Sequence, residues 1–486
     1  MKHITVSALL LAGSQLVAQS PQGEQAKMNV FMILVDDLST LLNCYGHEEV
    51  ITPHLDKLAS RGRVFDRAYC QSAVCNPSRA SFMTGKYPHE LGIWTNQPHF
   101  RGFFPRIKTL SEHFMDHGYY SVGIGKVFHN WGQSIQGDPQ SWSEPQRYHY
   151  AAHFHDWYVP GRPYQLHSDL AKGPAVQCED VPDEAYLDGR IANEAINKLR
   201  ELQETPFFMT VGFWKPHLPF NAPKRYWDLY DRNDFSEIRY PDWVEGIPDI
   251  AYNQSREART YTDVPNTGPI SEEKKLELRH GYFAAITYLD AQIGKLLDEL
   301  DRLGLSQNTV VVFFSDHGFH AGEFGEFGKL TNFEIGTQVP LIIAYPGMPY
   351  PGMSTSALTE LVDIYPTLAD LCGLPSPAGG RQLSGTSLRP VLSDPSATVK
   401  TAALSQISRP LGVEQDFGIL GSSIRTATHR YNVWVQRSDG SIVAEELYDL
   451  SSDPYVVFNA ADNRKLRTLK QQLFDQLFDR LQVSKK

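Results

Sequence analysis

Every side chain from Val30 to Val35 is apolar, and the run stops at two adjacent carboxylates, Asp36 and Asp37. A strand that is apolar on both faces must be covered on both faces, as an inner strand of a parallel sheet is. Residues 119–124, 206–212, 309–314 and 340–344 are built in the same way. Between these runs lie segments with apolar residues at helical spacing: 53–61, opened by Thr52-Pro53, and roughly 107–118, 183–203 and 271–304. Proline at the first helical position fits the start of the first of these. Strands alternating with helices predict an α/β fold, a mixed and mostly parallel sheet sandwiched by helices.

The pattern changes near residue 399. Short β-rich runs at 402–408, 422–427, 430–435 and 446–450 precede a helical segment near 464–483. They predict a small antiparallel sheet with one helix. The junction falls in 392–401, which divides the chain into a large domain, 27–398, and a C-terminal α+β subdomain, 399–486. Residues 130–180 and 231–270 are aromatic, Pro-rich and aperiodic, the character of insertions that shape a substrate site. Trp131, Trp142, Tyr148, Tyr150, Phe154, Trp157 and Tyr158 are candidate sugar-stacking residues there.

With 45 Lys and Arg against 56 Asp and Glu, the 486-residue chain carries a formal charge of −11. Such a chain does not draw nucleic acid or anionic lipid by its overall field, so an anionic substrate needs a local basic pocket. Beyond the N-terminus no stretch is apolar for the ~18 residues of a membrane span. At the N-terminus, Lys2 and His3 precede an apolar run from Ile4 to Leu11 and then small residues. Residues 1–20 are therefore expected to be a secretory signal, and the protein to be exported, periplasmic or extracellular. Five cysteines (Cys44, Cys70, Cys75, Cys178 and Cys372) form no C-x-x-C pair. An odd count in an exported chain points to one special thiol. The other four either form two disulfides or stay free and buried.

The special thiol is Cys75, in Ala73-Val-Cys-Asn-Pro-Ser-Arg79. A helix starting at Pro77 would aim free N–H groups and positive potential at an anion beside the cysteine. Arg79 adds a planar clamp for a tetrahedral oxyanion. Asp36 and Asp37 end a strand, where α/β proteins bind ligands. Adjacent carboxylates repel unless a cation joins them, and with Asp316 they offer hard oxygen ligands for Ca²⁺ or, second, Mg²⁺.

This signature resembles that of the type I sulfatases, an alkaline-phosphatase-like family in which the Cys of C-x-P-x-R is oxidised to formylglycine (3-oxoalanine). Further motifs match in order: Val35-Asp-Asp37, Gly125-Lys126-Val-Phe-His129, Lys215-Pro-His217, Ser315-Asp-His-Gly318, then Lys329, and a Tyr448-Asp-Leu…Asp453-Pro454 element. The pieces Tyr69–Cys75, Lys215–Phe220 and Gly322-Glu-Phe-Gly-Glu326 are most similar to the iduronate-2-sulfatase branch. The resemblance implies one Ca²⁺ held by Asp36, Asp37, Asp316, His317 and position 75. It implies catalytic roles for Cys75, Arg79, Lys126, His129, His217 and Lys329. One hydroxyl of hydrated formylglycine would attack sulfur, His217 would protonate the leaving oxygen, and His129 would deprotonate the second hydroxyl so that sulfate is expelled. Arg79, Lys126, Lys329 and the metal would stabilise the transferring group.

The implied substrate is a sulfated carbohydrate. The implied partner is a formylglycine-generating or anaerobic sulfatase-maturating enzyme. Asn76 is bulkier than the small residue usual after the signature cysteine. Phe319, Phe324 and Leu330 replace the Trp, His and Tyr of iduronate-type enzymes; with Lys215 they are candidate substrate-binding residues. Two other readings remain open: a phosphodiesterase or phosphonate hydrolase on the same scaffold, or a non-catalytic binder of sulfated glycans if Cys75 stays unmodified.

Overall fold

The computed structural model describes residues 27–130, 132–149, 153–377, 383–411, 418–451, 455 and 458–483. Residues 1–20, expected as a signal, and Trp131, Tyr150 and Asp453-Pro454 lie outside these residues. The central sheet contains β1 (Asn29–Asp36), β2 (Arg63–Phe65), β3 (Tyr120–Gly125), β4 (Phe207–Pro216), β5 (Thr309–Ser315), β6 (Leu341–Ala344) and β7 (Ser354–Thr355). Their spatial order is β7-β2-β6-β5-β1-β4-β3. The pairs β5–β1, β1–β4, β4–β3 and β7–β2 are parallel, while β6 runs antiparallel to both β5 and β2.

The uninterrupted apolar character of β1 has the expected cause. Phe31, Ile33 and Val35 enter one buried core, and Val30, Met32 and Leu34 enter another on the opposite face. Strand β5 divides likewise, Val311 and Phe313 against Val310, Val312 and Phe314. The first core is covered by α1 (Pro53–Arg61), α4 (Leu187–Glu201) and α5 (Glu272–Arg302). The second is covered by α2 (Cys75–Thr84), α3 (Leu110–Asp116) and residues 361–371. The helix expected from Pro77 begins two residues earlier, so Cys75 is its first residue.

The second sheet is a simple antiparallel meander, β8 (Ala402–Arg409), β9 (Ile419–Thr426), β10 (His429–Gln436) and β11 (Ile442–Asp449), packed with α6 (Arg467–Val483). Two buried acids fasten it to the large domain. Glu334 receives Arg425 at 3.1 Å and Arg430 at 2.7 Å, and also the Tyr69 hydroxyl at 2.6 Å. Glu360 receives Lys400 at 2.8 Å, Arg480 at 3.2 Å and the Tyr87 hydroxyl at 2.9 Å. All five cysteines are free thiols, so the two-disulfide alternative is corrected. Cys70 is buried and Cys178 exposed, and neither meets a second sulfur.

Candidate active site

The parallel strands deliver their carboxyl ends to one place. Asp36 closes β1, Asp316 follows β5 directly, Lys126 follows β3, and His217 follows β4. Gly125 lets Lys126 turn in. It has φ 76°, and a Cβ there would lie 2.0 Å from the carbonyl oxygen of Gly212 on the neighbouring strand. Helix α2 brings Cys75 and Arg79 from the side, and Lys329 arrives from the segment after β5.

Cys75 is 2% exposed. Its Sγ lies 3.6 Å from Asp36 Oδ1, 3.3 Å from His317 Nε2 and 3.7 Å from Lys126 Nζ. Burial, and then Asp36, push the thiol well above its ordinary pKa. An unmodified Cys75 is thus protonated and a poor nucleophile at neutral pH. Arg79 donates from Nε to Asp316 Oδ2 at 2.8 Å and from Nη1 to the carbonyls of Lys126 and Val127. Its Nη2 is buried with no hydrogen-bond acceptor among the described residues. Lys126 Nζ donates to Asp36 and lies 4.7 Å from the Trp214 ring centroid. Burial alone would raise Asp36, but Lys126, His217, Arg79 and Lys329 hold it well below the usual carboxylate range. Asp316 moves the other way, because burial outweighs Arg79.

The carboxylates here suit a hard divalent cation, whereas the Cys75 sulfur and the His317 imidazole are softer donors. Asp36, Cys75, Asp316 and His317 place one ligand atom each within 4.8 Å of one another, and all four are buried. Asp37 stands one step aside. Its Oδ1 is 3.3 Å from His317 Nδ1 and 2.7 Å from Lys329 Nζ. Its Oδ2 is buried without a hydrogen-bond donor among the described residues. A buried carboxylate oxygen without a donor is costly unless a cation takes it.

A cavity of about 490 Å³ opens over this cluster. Cys75, His129, His217, Lys329 and Leu330 line it, with Trp94, Asn96, Gln97, Lys172, Arg256 and Glu257. Burial, then Lys126, hold His129 well below its ordinary pKa, which leaves a neutral imidazole; its Nδ1 has no hydrogen-bond partner among the described residues. His217 donates from Nδ1 to the carbonyl of Leu218 at 2.6 Å, so Nε2 faces the cavity.

Of the residues expected to touch substrate, Leu330 alone reaches the cavity wall. Lys215 is turned away, its Nζ donating to the carbonyl of Pro219 at 2.8 Å. Phe319 is fully buried against Tyr282 and Phe220. Phe324 packs on Phe333 and Tyr240. Trp142 and Trp157, expected as sugar platforms, are core residues as well. The aromatic that lines the cavity is Trp94, which the sequence did not single out.

Sequence reasoning also missed Glu257, Asn76's role and Arg409. Asn76 donates from Nδ2 to the carbonyls of Thr95 and Pro98, both at 2.8 Å, and so holds the 94–98 wall. Arg409, from β8, donates to the carbonyls of Ile250 and Leu330, each at 2.9 Å, and burial lowers its pKa to about 10. The only signal for either was a bulky residue in the signature and an Arg at the end of a short β-rich run.

Comparison with known proteins agrees with this geometry. The Sulfatase family model matches residues 28–374, and the model for the C-terminal region of N-sulphoglucosamine sulphohydrolase matches 322–483. Iduronate 2-sulfatase of Mus musculus is 33% identical over 522 residues, covering 92% of this chain and 94% of that protein. The Homo sapiens protein is 34% identical over 517 residues, with 92% and 93% covered. A solved structure of a protein in complex with its substrate D-glucosamine-2-N,6-O-disulfate superposes with a TM-score of 0.74 at 24% identity, covering 94% of this chain and 98% of that one. The phosphonate monoester hydrolase of Agrobacterium radiobacter superposes with a TM-score of 0.73 at 23% identity, with 94% and 96% covered. The fold is thus the alkaline-phosphatase-like one, and the chain belongs to the sulfatase family of sulfuric ester hydrolases.

Proposed function

We propose that the protein is an exported sulfatase that removes sulfate from a sulfated carbohydrate, uronate-containing glycans included, after oxidation of Cys75 to formylglycine by a maturating enzyme. The observation that carries this reading is the placement of Cys75. It is the first residue of a buried helix, between a carboxylate cluster fit for Ca²⁺ and the cations Arg79, Lys126 and Lys329. A protonated, buried thiol has little nucleophilic chemistry of its own. Formylglycine would supply an oxygen nucleophile and a second hydroxyl whose deprotonation releases sulfate, and Ca²⁺ on Asp36, Asp37, Asp316 and His317 would supply Lewis acidity.

The chain's own residues do the rest. Arg79 and Lys126 orient and neutralise the sulfuryl oxygens, and Lys329 closes the opposite side. His217 offers Nε2 to the leaving oxygen from the cavity side. His129, kept neutral, takes a proton at position 75. The outer wall, Trp94 to Gln97 with Lys172 and Arg256, is sized for a sugar ring. The test is sulfate release from a panel of defined sulfated oligosaccharides by enzyme from a host able to mature it. Mass spectrometry of the Cys75 peptide is run alongside. No release from any member by aldehyde-bearing enzyme rejects the reading.

A further inference from the structure

Among the described residues that line the cavity, Glu257 is the only acidic one. Its two oxygens face the two groups on the cavity side of the transfer position. Oε1 lies 3.1 Å from His217 Nε2, and Oε2 lies 3.3 Å from Lys329 Nζ. The placement is built, not incidental. The buried carboxylate of Glu326 accepts the backbone N–H groups of Asn253, Gln254 and Ser255 at 3.2, 2.8 and 2.7 Å. Gln254 and Ser255 take φ of 64° and 53° to curl around it. Asn253 Nδ2 then donates to the carbonyl of Lys329, tying this loop to the segment whose lysine Glu257 faces.

A carboxylate in an anion site weakens the binding of any anion, so its presence calls for a reason. The charges suggest one. The buried aspartates Asp36, Asp37 and Asp316 are paired with Arg79, Lys126 and Lys329, and of the other charged residues that line the cavity Lys172 and Arg256 are cationic while Glu257 is the anionic one. A fixed negative charge opposes a dianion about twice as strongly as a monoanion. A sulfate monoester carries one negative charge. A phosphate monoester of the same tetrahedral shape carries two above its second ionisation, near about pH 6.

We propose that Glu257 is a specificity-determining residue that rejects dianionic phosphate monoesters from a site whose cations would otherwise accept them, so that the monoanionic sulfate ester is selected. The inference rests on the sulfatase reading above and deepens it. With an effective dielectric near 20 and a separation of roughly 5 Å, the extra charge should count for on the order of a few hundred-fold in discrimination.

The experiment compares wild type with Glu257→Gln, which keeps the size and removes the charge. The first readout is kcat/KM for 4-nitrophenyl phosphate divided by that for 4-nitrophenyl sulfate. The common leaving group cancels any change in proton donation by His217. The ratio is expected to rise on the order of a few hundred-fold in the variant, by the same Coulomb argument. The second readout needs no turnover: calorimetric binding of phenylmethanesulfonate, with one charge, against phenylmethanephosphonate, with two at mildly alkaline pH. The phosphonate should gain affinity over the sulfonate by a similar factor. An unchanged or falling ratio in either measurement overturns the role of Glu257. A wild type that releases no sulfate from any ester rejects the sulfatase reading instead, while the affinity ratio still decides whether Glu257 sorts anions by charge.

Discussion

Lys329 Nζ lies 2.7 Å from Asp37 Oδ1, a contact between residues 292 positions apart in sequence. It divides the work of two neighbouring carboxylates. Asp36, at the end of its strand, meets Cys75, Lys126 and Arg79. Asp37 adopts φ 64°, which turns its side chain the other way, toward Lys329, His217 and His317. One dipeptide thereby supports both the nucleophile side and the leaving-group side of the site.

Cys75→Ala should lose sulfate release entirely while keeping its fold, since the change removes a single buried sulfur. Cys75→Ser should be equally dead, because a plain hydroxyl lacks the second oxygen that expels sulfate. The check is sulfate release per mole of folded protein, with far-ultraviolet circular dichroism as control. Turnover by either variant at wild-type rate rejects Cys75 as the nucleophile's source.

Chelation should abolish activity, and Ca²⁺ should restore it. On the proposed reading the folded cluster binds the ion and the unfolded chain does not, so Ca²⁺ at 100 times its Kd should add about 2.7 kcal/mol of stability. Asp316→Asn should lose that gain as well as activity. Thermal unfolding with and without Ca²⁺ measures it. Restoration by Zn²⁺ alone would point to the phosphodiesterase alternative.

His217→Ala should slow hydrolysis of a sulfated sugar far more than that of 4-nitrophenyl sulfate, whose leaving group needs almost no proton. General acids contribute typically about 10²–10⁴-fold, so the two rate losses should differ visibly. Single-turnover rates keep the comparison on the chemical step. Equal losses would make His217 a binding residue.

Glu360 predicts acid sensitivity at the docking of the second sheet. Burial would raise its pKa, but Lys400 and Arg480 hold it at about 2, below the ordinary 4.5. A depressed carboxyl contributes stability that is whole above pH 4.5 and lost as pH falls through about 2. Glu360→Gln should cost about 3–5 kcal/mol at neutral pH, since it leaves buried cations unpaired. It should also flatten the stability loss between pH 4.5 and 2. Denaturant titrations across that range, followed by fluorescence, test both; an equally steep profile in the variant removes Glu360 as the cause.

Much of the frame could be read from spacing. The buried strands announced themselves because β1 and β5 are apolar at every position, and α1, α5 and α6 because their apolar residues repeat at helical intervals. Asp36, Asp37 and Cys75 were legible from a strand end and a helix start, while Lys126, His129, His217, His317 and Lys329 were legible through motifs that resemble those of the sulfatases. What stayed hidden depends on long-range closure. Glu257 lies in an aperiodic loop, and hydrogen bonds from that loop to Glu326 and to the Lys329 carbonyl bring it to the site. Phe319 and Phe324 looked like cavity residues from their place beside Asp316 and Lys329. Their rings found apolar partners in the core instead, which the local sequence does not record.

The near-complete burial of Cys75 sets an order of events. Its sulfur is enclosed by Asp36, Lys126 and His317 on a helix with no exposed residue. Another protein's catalytic groups cannot close around that atom once the sheet and helix have packed. If a maturating enzyme oxidises Cys75, as proposed above, it must therefore act before this segment has folded, in competition with folding itself. The active fraction of each preparation is then fixed during biosynthesis and cannot be raised afterwards. Slower folding, at lower temperature for example, widens the interval in which the thiol can be converted.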